Sequence, residues 1–243
     1  MRAARGVAVG LAAAAAGYGA WEVARVRDLI RRSRTLDAVA TGRHELGVGP
    51  ELLLWVMGDS AALGHGAGCF ATSLVGRVAA GLSAGRRVIV ENVAVSGAKT
   101  AQVLAQPLPP RRAGLVLVTA GSNDLARLAS PAAVGDATAR VLGRVAPLAE
   151  RVVVTGPGVI ADAGLAPHAV RPLYRWLRPR YLAAMAAAAA AVPNAVHVDP
   201  AEGVEALARA EYLAAVSEVD RFHLNDAGHR WWADRVLAAL AAP

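Results

Sequence analysis

From residue 51 onward, short unbroken apolar runs alternate with stretches whose apolar positions recur at helical spacing. The runs are Leu52 to Met57, Val88 to Val95, Leu115 to Ala120, Val152 to Thr155 and Ala195 to Val198. Each has the length of a strand and is too continuous for a strand with one wet face, as expected where helices cover both faces of a parallel sheet. Between them, Phe70 to Leu82, Ala132 to Leu148, Leu173 to Ala191 and Val204 to Ala214 combine spaced apolar positions with good helix formers. A last helix is predicted from Asp226 to Leu240, with Asn225 or Asp226 as its cap. The alternation predicts an α/β fold: a three-layer α/β/α sandwich around a doubly wound, mainly five-stranded parallel sheet with right-handed crossovers. Sites in such sheets form at the carboxyl ends of the strands, so the residues that follow each run are the ones to inspect.

Upstream the pattern changes. An uncharged, mostly apolar run from Gly6 to Trp21 follows Arg2 and Arg5, and Arg25, Arg27, Arg31, Arg32 and Arg34 come after it. The run is longer than a usual signal-peptide core and shorter than a comfortable membrane span. Three readings stay open: a membrane anchor, a helix lying on the domain or on a membrane surface, and a cleaved signal. The arginines after the run favour a cytoplasmic flank, which conflicts with export, so localisation is left open. Thr41 to Pro50, rich in Gly and polar residues, reads as a linker. The expected organisation is a helical segment and linker over 1–50 and one folded α/β domain over 51–243.

Composition adds two exclusions. The net charge of +7 comes almost wholly from arginine, with Lys99 the only lysine, and no nucleic-acid-binding motif accompanies it, so no nucleic-acid partner is expected. Cys69 is the only cysteine and no histidine pair has ligand spacing, which leaves no basis for a disulfide within the chain, a metal site or a cofactor. Cys69 is expected to pack as a small apolar residue in the helix after Ser60.

Candidate chemistry follows the strands. Gly58-Asp59-Ser60 leaves the first; Asn92 through Ser96-Gly97 leaves the second; Gly121-Ser122-Asn123-Asp124 leaves the third. Gly97 permits close backbone approach to a ligand. Asn123 offers a neutral N–H donor suited to an oxyanion, and Asp124 is expected to brace the loop or cap a helix. Before the last helix stands Asp220-Arg221-Phe222-His223, whose spacing lets the aspartate accept from Nδ1 while Nε2 faces a nucleophile. Asp226 and His229 form a rival pair, expected to lie on the surface of the last helix and away from the sheet edge. His65 is a loop residue that could line a pocket; His44, His168 and His197 are read as structural or exposed. Thr155 to Tyr181, with Tyr174, Trp176, Arg175 and Arg178, is weighed as a pocket wall against a plain solvated helix.

Singly each motif is an ordinary turn. Together, in this order from about Glu51 to the C-terminus, they resemble the sequence blocks of the SGNH (GDSL-type) hydrolase superfamily. The resemblance implies a flavodoxin-like SGNH fold and a carboxylic ester hydrolase of the esterase, lipase or lysophospholipase kind, working through an acyl-enzyme on a small-molecule or lipid ester. It implies Ser60 as nucleophile, His223 and Asp220 as its partners, and Ser60 N–H, Gly97 N–H and Asn123 as the oxyanion hole. The alternatives are an O-acetyl esterase or acyltransferase working on cell-envelope glycans, and a binding module with a degenerate site. Two positions depart from the family's pattern: Arg221 stands where glycine is common, and Leu224 where proline is frequent.

Overall fold

The computed structural model describes residues 2–203 and 209–242. Six strands form one sheet in the order β1-β3-β2-β4-β5-β6. They are β1 (Gly42–Leu46), β2 (Glu51–Met57), β3 (Arg87–Asn92), β4 (Ala113–Thr119), β5 (Ala149–Thr155) and β6 (Ala195–Val198). Five are parallel, and β1 alone runs antiparallel, against β3. The fold is therefore the doubly wound α/β/α sandwich that the apolar runs imply.

Alternate residues of one strand feed opposite cores. Leu53, Trp55 and Met57 pack with Val116, Leu142, Leu177 and Met185 on one face. Leu52, Leu54 and Val56 pack with Val75, Val78, Trp232 and Val236 on the other. The first face is covered by α3 (Thr100–Val103), α4 (Ser122–Ala126), α5 (Pro131–Val145) and α6 (Arg171–Ala190), the second by α2 (Leu74–Leu82) and α8 (Asp226–Ala241). With two cores to fill, a strand that alternated apolar with polar would leave one of them unfilled.

Two boundaries and the setting of Cys69 differ from the expectation. Residues 41–50 contain β1 as well as a turn, so the sheet begins before Glu51. β3 stops at Asn92, because the Asn92 amide turns the chain: Nδ2 donates to Ala40 O at 2.7 Å and to Ala62 O at 2.8 Å, while Oδ1 accepts from Ala94 N–H. Cys69 is exposed and precedes a 3-10 turn (Phe70–Thr72) instead of packing within a helix. The helix expected from Val204 begins outside the described residues; α7 (Arg209–Ala214) is its described part.

The N-terminal run is part of one long helix, α1 (Arg2–Ser33). Residues 13–21 are exposed throughout, and the first buried positions are Glu22 and Leu29. Among the described residues no helix is long and apolar enough to cross a membrane.

Candidate active site

Two glycines fix the turn that carries Ser60. Gly58 has a φ of +133°, and a Cβ there would stand 2.3 Å from Thr119 O, so β2 can lie tight against the end of β4 only without a side chain. The Gln106 side chain locks the peptide by accepting from Gly58 N–H at 2.8 Å and donating to Gly58 O at 2.7 Å. Gly66, on the returning loop, has a φ of +89° and sits under Leu224 O, which brings the chain beside His223.

Across this edge Ser60 Oγ lies 2.8 Å from His223 Nε2, and His223 Nδ1 lies 2.5 Å from Asp220 Oδ2. Asp220 is fully buried, and its other oxygen accepts from the N–H groups of Phe222 and His223. Burial alone would raise its carboxyl, but the bonds from His223 and from those two amides outweigh it and hold the group below the usual carboxylate range. With Nδ1–H donated to the carboxylate, Nε2 is free to accept the serine proton.

Asp59 is buried beside the serine. Burial pushes its carboxyl up, and bonds from Thr119 Oγ1 and Ala61 N–H work against that. Its second oxygen receives a long 3.4 Å contact from Asn123 Nδ2, which keeps that amide at the pocket rim. Asp124 braces the neighbouring loop, accepting from both Thr100 N–H and Thr100 Oγ1 at 2.8 Å.

Ser60, His223 and Asn123 share one pocket, with Ile160, Tyr212, Phe222 and Trp231 among its walls and an internal space of about 70 Å³. Gly97 lines a separate depression with Gln102 and Pro107; its φ is +75° and nothing lies within 4 Å of where a Cβ would stand. The structure thus brings together four of the five residues singled out by sequence.

Other expectations need correction. His229 is 1% exposed rather than on the helix surface: Nδ1 accepts from Leu74 N–H and Nε2 donates to His65 O, so it ties α8 to α2 and lines the pocket. Asp226 does not pair with it but accepts from Gly68 N–H. His65 does line the pocket, its ring 5.2 Å from that of His223, and burial lowers its pKa. Of the Thr155–Tyr181 segment, only the loop residues Gly158 to Ile160 reach the pocket. Tyr174 is core, Arg175 pairs with Asp162, Arg178 meets Asp199, and Trp176 is exposed under Arg180. Unread in the sequence were Gln106 and Thr119, which hold the Gly58-Asp59 turn, and the adjacent Trp231 and Trp232 eight and nine residues after His223. That doublet of large rings near a candidate base was the one available signal.

The sequence profile of the GDSL-like Lipase/Acylhydrolase family matches residues 56–231, which span the whole of this edge. The chain belongs to that family. It is a serine esterase, a carboxylic ester hydrolase whose substrates are small-molecule esters. No curated protein matches. Among solved structures, a catalytic variant of Axe2, an acetylxylan esterase from Geobacillus stearothermophilus, superposes with a TM-score of 0.60 at 20% identity, covering 82% of this chain and 98% of that one. LAE5, an alpha/beta hydrolase enzyme from the metagenome of Lake Arreo, Spain, gives 0.58 at 20% identity, covering 79% and 96%. Identity this low speaks for the fold.

Proposed function

We propose that Ser60, His223 and Asp220 form the catalytic triad of this family member and that it removes short acyl groups through an acyl-enzyme. The observation that carries the reading is the continuous path from Ser60 Oγ to His223 Nε2 and from Nδ1 to the buried Asp220. His223 takes the Ser60 proton as the oxygen attacks the ester carbonyl, and Asp220 fixes the tautomer and stabilises the imidazolium. The protonated His223 then returns the proton to the departing alkoxide, and water repeats the sequence on the acyl-enzyme. Ser60 N–H and Asn123 Nδ2 serve the tetrahedral oxyanion. Gly97 N–H is the third donor that the family resemblance implies; its open backbone, and the bond from Val95 N–H to Gly58 O at 3.0 Å that holds this strand exit beside the Ser60 turn, support the role.

The size of the pocket favours short acyl groups. Its space of about 70 Å³ is less than half of the roughly 150 Å³ of an engineered cavity that holds benzene. The half-buried rings of Phe222 and Trp231 in the pocket wall suit a sugar face, and Axe2 is an acetylxylan esterase. Acetyl esters of glycans are therefore the second reading, contained within the first. Apolar residues 6–21 are proposed to contact a membrane, since residues 13–20 are exposed throughout and Trp21, stacked on His168, is half exposed.

A serine-directed fluorophosphonate should label the wild type and not Ser60→Ala, and turnover of p-nitrophenyl acetate should fall by about 10³-fold or more in that variant. Activity should drop steadily from acetate to octanoate. Equal labelling of the two proteins would remove Ser60 from the reaction, and a preference for octanoate would overturn the short-acyl reading.

A further inference from the structure

α1 lies outside the residues matched by the family profile, yet its second half docks on the connection that supplies part of the Ser60 pocket wall. Glu22 is 9% exposed although every described residue of α1 before it, from 13 onward, is exposed. It accepts from His168 N–H at 2.6 Å and lies 3.0 Å from His168 Nδ1. Arg25 pairs with it through Nε and Nη2, both at 2.9 Å. The same guanidinium donates to two main-chain carbonyls, Gly164 O through Nη1 and Ala166 O through Nη2, the latter at 3.2 Å.

Those carbonyls belong to the 156–167 connection, which contains no helix or strand. It supplies Gly158, Val159 and Ile160 to the pocket. Its Gly164 N–H donates to Arg221 O at 2.5 Å, and Arg221 stands between Asp220 and His223. A loop without secondary structure of its own takes its shape from outside partners, and a guanidinium fork that holds two carbonyls at once sets orientation as well as distance. One unbroken path thus runs from α1 through the loop to both the pocket wall and the Asp-His turn.

We propose that Arg25 and Glu22 are positioning residues for ester hydrolysis, holding the 156–167 loop so that the pocket wall and the Asp220–His223 turn keep their working geometry. The proposal rests on the reading of Ser60, His223 and Asp220 given above. It assigns α1 a role at the active site that the family match does not contain.

The test compares wild type, Arg25→Ala, Arg25→Lys and Glu22→Gln in the full-length chain, using p-nitrophenyl acetate and butyrate, with active sites counted by phosphonate titration. Arg25→Ala should lose about tenfold or more in kcat/KM per titrated site, with KM rising more for butyrate, which reaches further along the wall. Arg25→Lys, able to serve one carbonyl but not two, should recover part of the loss. A purely structural role would lower the number of titratable sites and leave the constants per site unchanged; that result overturns the proposal. So does an Arg25→Ala protein within twofold of wild type on both esters. If Arg25→Ala does not fold, Glu22→Gln carries the same expectation at about fivefold, with the same outcome against it. Wild-type protein that neither hydrolyses these esters nor reacts at Ser60 would remove the triad reading itself, which separates that failure from this one.

Discussion

Arg221 occupies the position within the Asp-x-x-His block where the family commonly has glycine, and its φ of +53° explains the preference. The turn from Asp220 to His223 needs a left-handed residue so that both following N–H groups can fold back onto Asp220. A side chain in that conformation costs about 1–2 kcal/mol. It is tolerated because the facing residue is Gly164, where a Cβ would come within 2.5 Å of Arg221 Cβ. Arg221→Gly should therefore stabilise the protein. Roughly 0.5–1 kcal/mol of the relief is cancelled by the greater freedom of glycine in the unfolded chain. The remainder should raise the Tm by about 2 °C in a chain of this size, with p-nitrophenyl acetate turnover retained. A lower Tm in a thermal scan would show that Arg221 makes a compensating contact. At this scale the site was largely legible, because Ser60, Asn123, Asp220 and His223 each sit in a short local block whose spacing encodes the turn. His229 was not, because nothing in its neighbours along the chain shows that Leu74 N–H, at the start of α2, needs an acceptor. Only the packing of α8 on α2 turns that face inward.

The same histidine makes the docking of α8 sensitive to acid. His229 is held to a pKa of about 4, chiefly by burial, with the bond to His65 O working the other way. In the unfolded chain it titrates near 6.5. Between those values the unfolded state binds the extra proton, so stability is complete above pH 6.5 and declines as pH falls toward 4. From pH 7 to pH 5 this one group removes about 2 kcal/mol. His65 and His197, also lowered mainly by burial, act in the same direction. Asp220 and Glu22, lowered carboxylates, lose their contribution only below the unfolded carboxylate value near 4. Urea unfolding should show the decline from pH 7 to pH 5 in the wild type and a smaller one in His229→Gln, whose amide can still accept and donate. An equal decline in both proteins would remove His229 as the cause. Among the elements, the five parallel strands were legible because each is apolar on both faces. β1 was not: its sequence, Gly-Arg-His-Glu-Leu, is short and polar, as suits an edge strand that must resist pairing with another chain. In that pairing Arg43 meets Glu91 and Arg87 meets Glu45, contacts which only the paired sheet reveals.

For the whole molecule, the open question in the sequence was what an apolar arm followed by arginines is for. Periodicity could place a helix there but not its partner, since nothing in Gly6 to Trp21 distinguishes a segment that packs on its own domain from one that does not. The structure divides α1 by contact: residues 13–20 are exposed, while Trp21, stacked on His168, and Glu22, Arg25 and Leu29 dock. Residues 13–20, exposed throughout, contribute little to the stability of the domain by the area argument, because only surface removed from water counts. Tyr18 and Trp21, about half exposed and in ring contact at 5.6 Å, have the amphipathic character found at membrane interfaces. Arg27 and Arg34, exposed after them, suit anionic headgroups, at about 1 kcal/mol each near such a surface. A chain lacking residues 2–20, which keeps Trp21, Glu22 and Arg25, should therefore have the wild-type Tm within about 1 °C and unchanged acetate hydrolysis, since residues 13–20 are exposed. It should, however, lose sedimentation with vesicles containing phosphatidylglycerol. A truncated chain that still sediments would move the contact elsewhere on the basic surface. One that melts several degrees lower would mean that the arm packs on the domain after all, and the separation of a free arm from a docked base along α1 would fail with it.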